Sequence, residues 1–217
     1  MQIGPPLEVK VWGEFACFTR PEMKAERVSY PVMTPSAARG VLEAIFWKPE
    51  FSWQIREIQV LKPIRHFSIL RNEVNSKVVV STAKGWMERG GGYFAEEDRA
   101  QRHTLALRDV AYIIKADVVL LPHATEPEPK YRDQFRRRVG RGQFYHPPYL
   151  GCREFTAFFR EPDGSDEPID LTDDLGLMLF DLDYAKDRSG RGKPVFFHAG
   201  LEQGVLRVNS DLYMREG

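Results

Sequence analysis

Hydrophobic and polar positions alternate loosely from Leu7 to Phe18, with Val9, Val11, Phe15 and Cys17 on one face and Trp12 and Phe18 on the other. A period of two predicts a strand, and Gly13 within it predicts a bulge. The period then changes. Between Thr34 and Trp47, Thr34 has the hydroxyl to accept from a free N–H as an N-cap, and Pro35 suits the first helical position because it has no N–H to leave unpaired. Val41, Leu42, Ile45 and Phe46 make one apolar stripe and Pro49 stops it, so this stretch is predicted helical. Alternation returns from Ser52 to Leu61, with Trp53 and Ile55 followed by Ile58 and Val60 across a phase shift. The opening order is strand, helix, strand.

From 65 to 108 the apolar pattern dissolves into charge around Gly90-Gly91-Gly92, which predicts a long hairpin or a mobile, poorly ordered insertion. Val110 to Leu121, bounded by Asp109 and Pro122, has the strongest strand composition in the chain. Asp133 to Val139 suits a short arginine-loaded helix, and the glycines and prolines from Gly140 to Pro148 mark a functional loop and a domain joint. Beyond it, Glu154–Phe159, Gly176–Tyr184 and Pro194–Val208 are apolar runs without a helical period. The expected class is α+β, with one domain over 1–148 and a small antiparallel β-sheet domain over 149–217.

Composition adds little until it is resolved along the chain. With 217 residues and 42% hydrophobic, a disordered tail or a solenoid is excluded. Basic and acidic residues balance at 31 each, which taken whole argues against a nucleic-acid binder. Resolved by segment, Lys130–Arg153 carries a net six positive charges and the stretch from Glu161 to Asp187 a net nine negative. Two cysteines, Cys17 and Cys152, lack a paired spacing and argue against a disulfide framework or a cysteine-built zinc site. Without a signal sequence or an apolar run long enough to span a bilayer, a cytoplasmic protein with no membrane association is expected.

Three constellations could carry chemistry. Arg136, Arg137, Arg138 and Arg141, followed by Phe144, Tyr145 and His146, combine guanidinium groups, glycine-freed backbone and flat rings, the parts of a site that follows a phosphate backbone and stacks unpaired RNA bases. The plainer reading is a solvated helix face and a turn. Lys115 lies in an apolar strand with Asp117 on the same side, and is costly there unless it meets a cleft or a partner. Facing a cleft, it could stabilise the pentacoordinate phosphate formed when a 2′-OH attacks. Asp181 and Asp183 alternate along a strand and read as its solvent face or as metal ligands. The histidines are scattered and the glycine triplet matches no nucleotide-binding signature, so no metal or cofactor is expected.

Trp12 to Lys24, Val28-Ser29-Tyr30, the Thr34–Gly40 helix running into Trp47-Lys48-Pro49, Arg71 to Val74 with Lys77, and Gly142-Gln143 through Pro148-Tyr149-Leu150-Gly151-Cys152-Arg153-Glu154-Phe155 together resemble the subtype I-C (Dvulg) Cas-five family of CRISPR-associated proteins. The resemblance implies a ferredoxin-like, RRM-related N-terminal domain of the RAMP superfamily with a small C-terminal sheet. It implies a metal-independent endoribonuclease of antiviral defence that cuts precursor CRISPR RNA in the repeat by 2′-OH attack. Expected partners are the repeat RNA, the backbone and large subunits of the interference complex, and target DNA.

Family members place a tyrosine or histidine just before the Trp-Lys-Pro block, a lysine in the central strand, and a histidine after it. This chain has Phe46, Lys115 and Asp117 there. Phenylalanine moves no proton, and Asp117 is a base only with a pKa raised by burial. Tyr30, His66, Tyr112 and His146 are the substitutes. The expected catalytic set is thus Lys115, Asp117, Tyr30 and His66; the expected RNA contacts are Arg39, Lys48, Arg136, Arg137, Arg138, Arg141, Tyr145 and His146. The departures leave a non-cleaving guide-RNA cap as an alternative, and Asp117, Asp181 and Asp183 leave a metal-dependent DNA nuclease as a remoter one.

Overall fold

The computed structural model describes residues 4–23, 25–184 and 192–214 of an α+β chain; Lys24, Lys186 and Asp187 lie outside them. Strand β1 (Leu7–Ala16) buries Leu7, Val9 and Val11 as the alternation requires. Gly13 makes no bulge: β1 keeps one register with the long strand β5 (Arg99–Leu120), from Leu7↔Ala116 to Ala16↔Leu107. The glycine instead admits a neighbour, since a Cβ there would lie 2.6 Å from Leu150 Cδ1 and 2.8 Å from the Thr156 carbonyl oxygen.

After the two-residue strand β2 (Arg27–Val28), helix α1 spans Pro35–Ile45 and forms as its sequence demands. Thr34 Oγ1 accepts from the Ala37 N–H at 3.3 Å, Pro35 opens the helix, and Ala38, Val41, Leu42 and Ile45 are buried. The phase break in β3 (Phe51–Val60) is a register shift against β5 between Ile55 and Glu57. Segment 65–108 is a hairpin: β4 (His66–Val74) pairs with β5 from His66↔Leu107 to Val74↔Arg99, and α2 (Val80–Arg89) crosses the tip without burying a residue. β5 therefore begins well before Val110 and runs through Asp109, which adopts φ 53°. From Arg99 to His103 only β4, among the described residues, pairs with it, and mostly polar residues fill that stretch; β2 joins its other edge at Thr104 and Leu105.

Helix α3 (Glu128–Gly140) is longer than its arginine cluster suggested. It packs with α1 on one face of the sheet over an aromatic core. Trp53 meets Phe51 at 5.4 Å and Phe135 at 4.8 Å between ring centres, Phe51 meets Phe46 and Tyr131, and Trp53 Nε1 donates to the Phe46 carbonyl at 2.9 Å.

The C-terminal strands β6 (Phe158–Arg160), β7 (Asp173–Asp183), β8 (Lys193–Glu202) and β9 (Val205–Arg207) are antiparallel as expected, but they do not form a separate sheet. The order is β6-β1-β5-β3-β9-β8-β7, with β6 on β1 at Lys10↔Arg160 and β9 on β3 at Glu57↔Arg207. Open edges at β1 and β3 would leave rows of unpaired backbone groups, and the C-terminal segments cover both. Past the end of β9, the Tyr213 hydroxyl of α4 (Asp211–Met214) accepts from the Ile55 N–H at 2.7 Å. Among the described residues, no helix is long and apolar enough to cross a membrane.

The loop 149–157 locks onto the end of β1. Cys17 N donates to the Leu150 carbonyl at 3.0 Å, Phe155 packs tilted against Phe15 at 5.9 Å between ring centres, and Gly151 sits at φ +83°. A Cβ on Gly151 would stand 2.1 Å from the Cys17 carbonyl oxygen, so steric and conformational penalties coincide. Gly151→Ala should cost about 2 kcal/mol or more. Thermal unfolding should shift down by about 4–8 °C; an unchanged midpoint would show that this packing does not hold the fold.

Candidate nucleic-acid interface

Tyr131, Phe135 and Val139, four residues apart along α3, turn inward, so the intervening Arg136 and Arg137 face solvent. The remaining arginines of the segment differ in kind. Arg132 is buried against Glu128 at 3.3 Å and the Pro5 carbonyl. Arg138 donates to the Ile45 carbonyl at 2.7 Å and lies 5.2 Å over the Phe46 ring, capping the negative end of α1. Arg138 thus also holds the end of α1 in place.

Gly142, at φ 63°, turns the chain back toward α1, and the backbone N–H groups of Tyr145 and His146 donate to the Ala44 carbonyl at 2.8 and 3.3 Å. The C-terminal carbonyls of α1 thereby fix a loop whose side chains project outward. Tyr145 is 81% exposed and Phe144 48%, with His146 beside them; Trp47, 56% exposed, and Lys48 follow directly after α1. At the far end of the α1–β3 connection, His123 Nε2 lies 2.8 Å from the Pro49 carbonyl. Arg136 pairs with Asp133 at 3.1 Å on the open surface, where such pairs are weak, and neither Arg137 nor Arg141 makes an ion pair among the described residues. Cations, stacking rings and two imidazoles therefore flank the ends of the connection between α1 and β3.

The four expected catalytic groups are not brought together. Lys115 lies on the opposite sheet face, with Nζ 3.1 Å from Glu8 and 4.0 Å from Glu57, so it has found partners and not a cleft. Asp117 is buried in a pair with Arg56. Tyr30 is buried with its hydroxyl accepting from Leu179 N at 3.2 Å, and burial pushes its phenol pKa up. Tyr112 is likewise buried and raised. His66 is exposed at the start of β4, opposite Leu107 and eight residues along β5 from Lys115, about 25 Å at ~3.3 Å per residue.

Arg39 lies apart from the α3 surface, held by Asp181 at 2.7 Å and Glu43 at 3.0 Å. It lines a cleft of about 380 Å³ between α1 and β7, with Thr34, Ser36 and Tyr149. Asp181 and Asp117 are thus both committed to arginines, and no three His, Cys, Asp or Glu side chains converge as metal ligands among the described residues. Trp47 and His123 also stand on this surface, though the sequence alone named neither as a contact. Trp47 figured only as the end of the helical stretch and in the Trp-Lys-Pro block, and His123 stood alone in sequence; only the return of β5 beside Pro49 joins it to the surface.

Across residues 6–209 the chain matches the family described as CRISPR-associated protein (Cas_Cas5). It is 51% identical over 222 residues to the CRISPR pre-crRNA endoribonuclease Cas5d of Thermus thermophilus, covering 95% of this chain and 93% of that one. Identity to the protein of the same name from Mannheimia succiniciproducens is 44% over 216 residues, covering 93% and 94%. In fold it is similar to a crystal structure of a CRISPR-associated protein (TM-score 0.66, 21% identity, 95% of each chain). A functionally uncharacterized protein from Streptococcus mutans has the same fold (TM-score 0.66, 20% identity, 94% of this chain and 92% of that one). With a family match over nearly its full length and two relatives of the same name above 40% identity, the chain belongs to the CRISPR-associated Cas5 family, in its Cas5d branch.

Proposed function

We propose that this chain is an endoribonuclease that cuts precursor CRISPR RNA within its repeat and stays on the product as a subunit of a type I-C interference complex. The observation that carries the reading is the 51% identity to a protein named as such an enzyme, together with the exposed cations and rings flanking the α1–β3 connection. The core supports a ferredoxin-like assignment: β1-α1-β3-β5-α3-β6 reads βαββαβ, and its four strands lie in the order fourth, first, third, second. We assign the exposed β4–α2–β5 arm to contacts with neighbouring subunits in the cytoplasm.

On this reading Arg136, Arg137, Arg141 and Lys48 hold phosphates while Trp47, Phe144 and Tyr145 stack bases. A neutral imidazole, His123 or His146, takes the proton of the 2′-OH. The 2′-oxygen bonds to phosphorus, the bond from phosphorus to the 5′-oxygen breaks, and that oxygen takes a proton from the other imidazole. The products are a 2′,3′-cyclic phosphate and a 5′-OH, and no metal takes part. A second reading keeps Lys115 and Asp117 as the reacting pair, since they stand two residues apart on one face of the C-terminal half of β5.

Cognate repeat RNA incubated with the protein in EDTA should yield a 2′,3′-cyclic phosphate end; tight binding with uncut RNA would establish the capping role instead. His123→Ala and His146→Ala should each slow cutting by about 100-fold or more with binding nearly unchanged, whereas Lys115→Ala should stay within a few fold. The reverse pattern would move the chemistry to the sheet face. Replacing Arg137 and Arg141 by alanine should flatten the salt dependence of binding by roughly one log-log unit for each phosphate no longer held; an unchanged slope would return them to the solvated surface.

A further inference from the structure

Cys17 and Cys152 stand 135 residues apart in sequence, yet they share one small buried cluster with Ala106. Their backbones are fixed against each other by the Cys17 N–H to Leu150 bond and by Gly151, which packs on the Cys17 carbonyl. Cys152 Sγ lies 3.6 Å from that carbonyl oxygen, and both side chains pack into the same buried cluster. Arg27 Nη1 approaches Cys152 Sγ to 3.2 Å, while Thr19 Oγ1 lies 3.5 Å from Cys17 Sγ.

We propose that Cys17 and Cys152 are an oxidisable dithiol, in which Cys152 attacks a hydroperoxide and Cys17 resolves the product into a disulfide. The asymmetry of the surroundings sets the order. The hydrogen bond from Cys17, and then the Arg27 guanidinium 3.2 Å away, lower the Cys152 pKa and favour its thiolate. The same hydrogen bond and burial hold the proton on Cys17. Both cysteines are buried, Cys152 at 8% exposure and Cys17 at 0%, so Cys152 is the nearer of the two to solvent.

In the first step the Cys152 thiolate bonds to one peroxide oxygen, the O–O bond breaks and hydroxide leaves, giving a sulfenic acid. The Cys17 sulfur then bonds to the Cys152 sulfur, the S–O bond breaks, and water leaves with the Cys17 proton. Two electrons pass from the dithiol to the peroxide. The bond staples the 149–157 loop to the end of β1 and is reversible by a dithiol reductant, as befits a redox-responsive pair in a reducing compartment. Neither cysteine belongs to the RNA surface described above.

The test uses the full-length protein, treated with hydrogen peroxide and then alkylated under denaturing conditions. Intact mass should show loss of two hydrogens and no alkylation, with a linked peptide pair containing Cys17 and Cys152 after proteolysis, all reversed by dithiothreitol. The oxidised protein should also unfold at a higher temperature. Both thiols alkylated as in the untreated protein, or Cys152 carrying oxygen beside an alkylatable Cys17, would overturn the proposal. In Cys17→Ser, dimedone should trap a sulfenic acid at Cys152, and no adduct there would equally overturn it; should that variant fail to fold, the wild-type masses decide alone.

Discussion

β5 lends its backbone to four other strands, and the rest of the sheet is arranged by which partner holds which stretch of it. Leu107 pairs with Ala16 on one side and His66 on the other, and Ile113 pairs with Lys10 and Gln59. One edge therefore carries β1 and then β2, and the other carries β3 and then β4. The partners change over near Asp109, whose φ of 53° accommodates the turn and whose carboxylate meets Lys62 at 2.5 Å. That hydrogen bond and the nearby arginines hold its pKa below the usual carboxylate range. The C-terminal end of the same strand delivers His123 to Pro49, so the spine of the fold also sets one end of the candidate site.

That site is assembled on the C-terminus of a helix. The last carbonyls of α1 attract donors and cations, and the chain answers with Arg138 at Ile45 and the backbone of Tyr145 and His146 at Ala44. One arginine is used to build the surface, and its neighbours Arg136, Arg137 and Arg141 are left facing outward on it. Neutrality of the whole chain hides this, because the acids after Glu161 lie mainly in the loop before β7 and along that strand.

Local chemistry was readable in the sequence wherever it was decided locally. Thr34 and Pro35 announced α1, the broken alternation in β3 announced its register shift, and the polar 65–108 stretch announced a hairpin. What depended on distant partners was not readable. Gly13 resembled a bulge until Leu150 and Thr156 came to lie against it, and the C-terminal strands resembled a separate sheet because nothing local encodes their pairing with β1 and β3. Lys115 looked unpartnered because Glu8 and Glu57 reach it only across neighbouring strands. The Leu150-Gly151-Cys152-Arg153-Glu154-Phe155 block carried the family resemblance; its structural role is to fasten a loop, with Glu154 reaching Arg71 at 3.0 Å.

The central claim is that RNA lies across the surface flanking the α1–β3 connection. Photo-crosslinking of the intact protein to its repeat RNA, with crosslinked residues identified by mass spectrometry, tests it most directly. Crosslinks should fall on Trp47, Phe144 and Tyr145, the exposed rings of that surface. Crosslinks confined to Trp12 and Phe158, which stack at 6.0 Å on β1 and β6, would place the RNA elsewhere and contradict the claim.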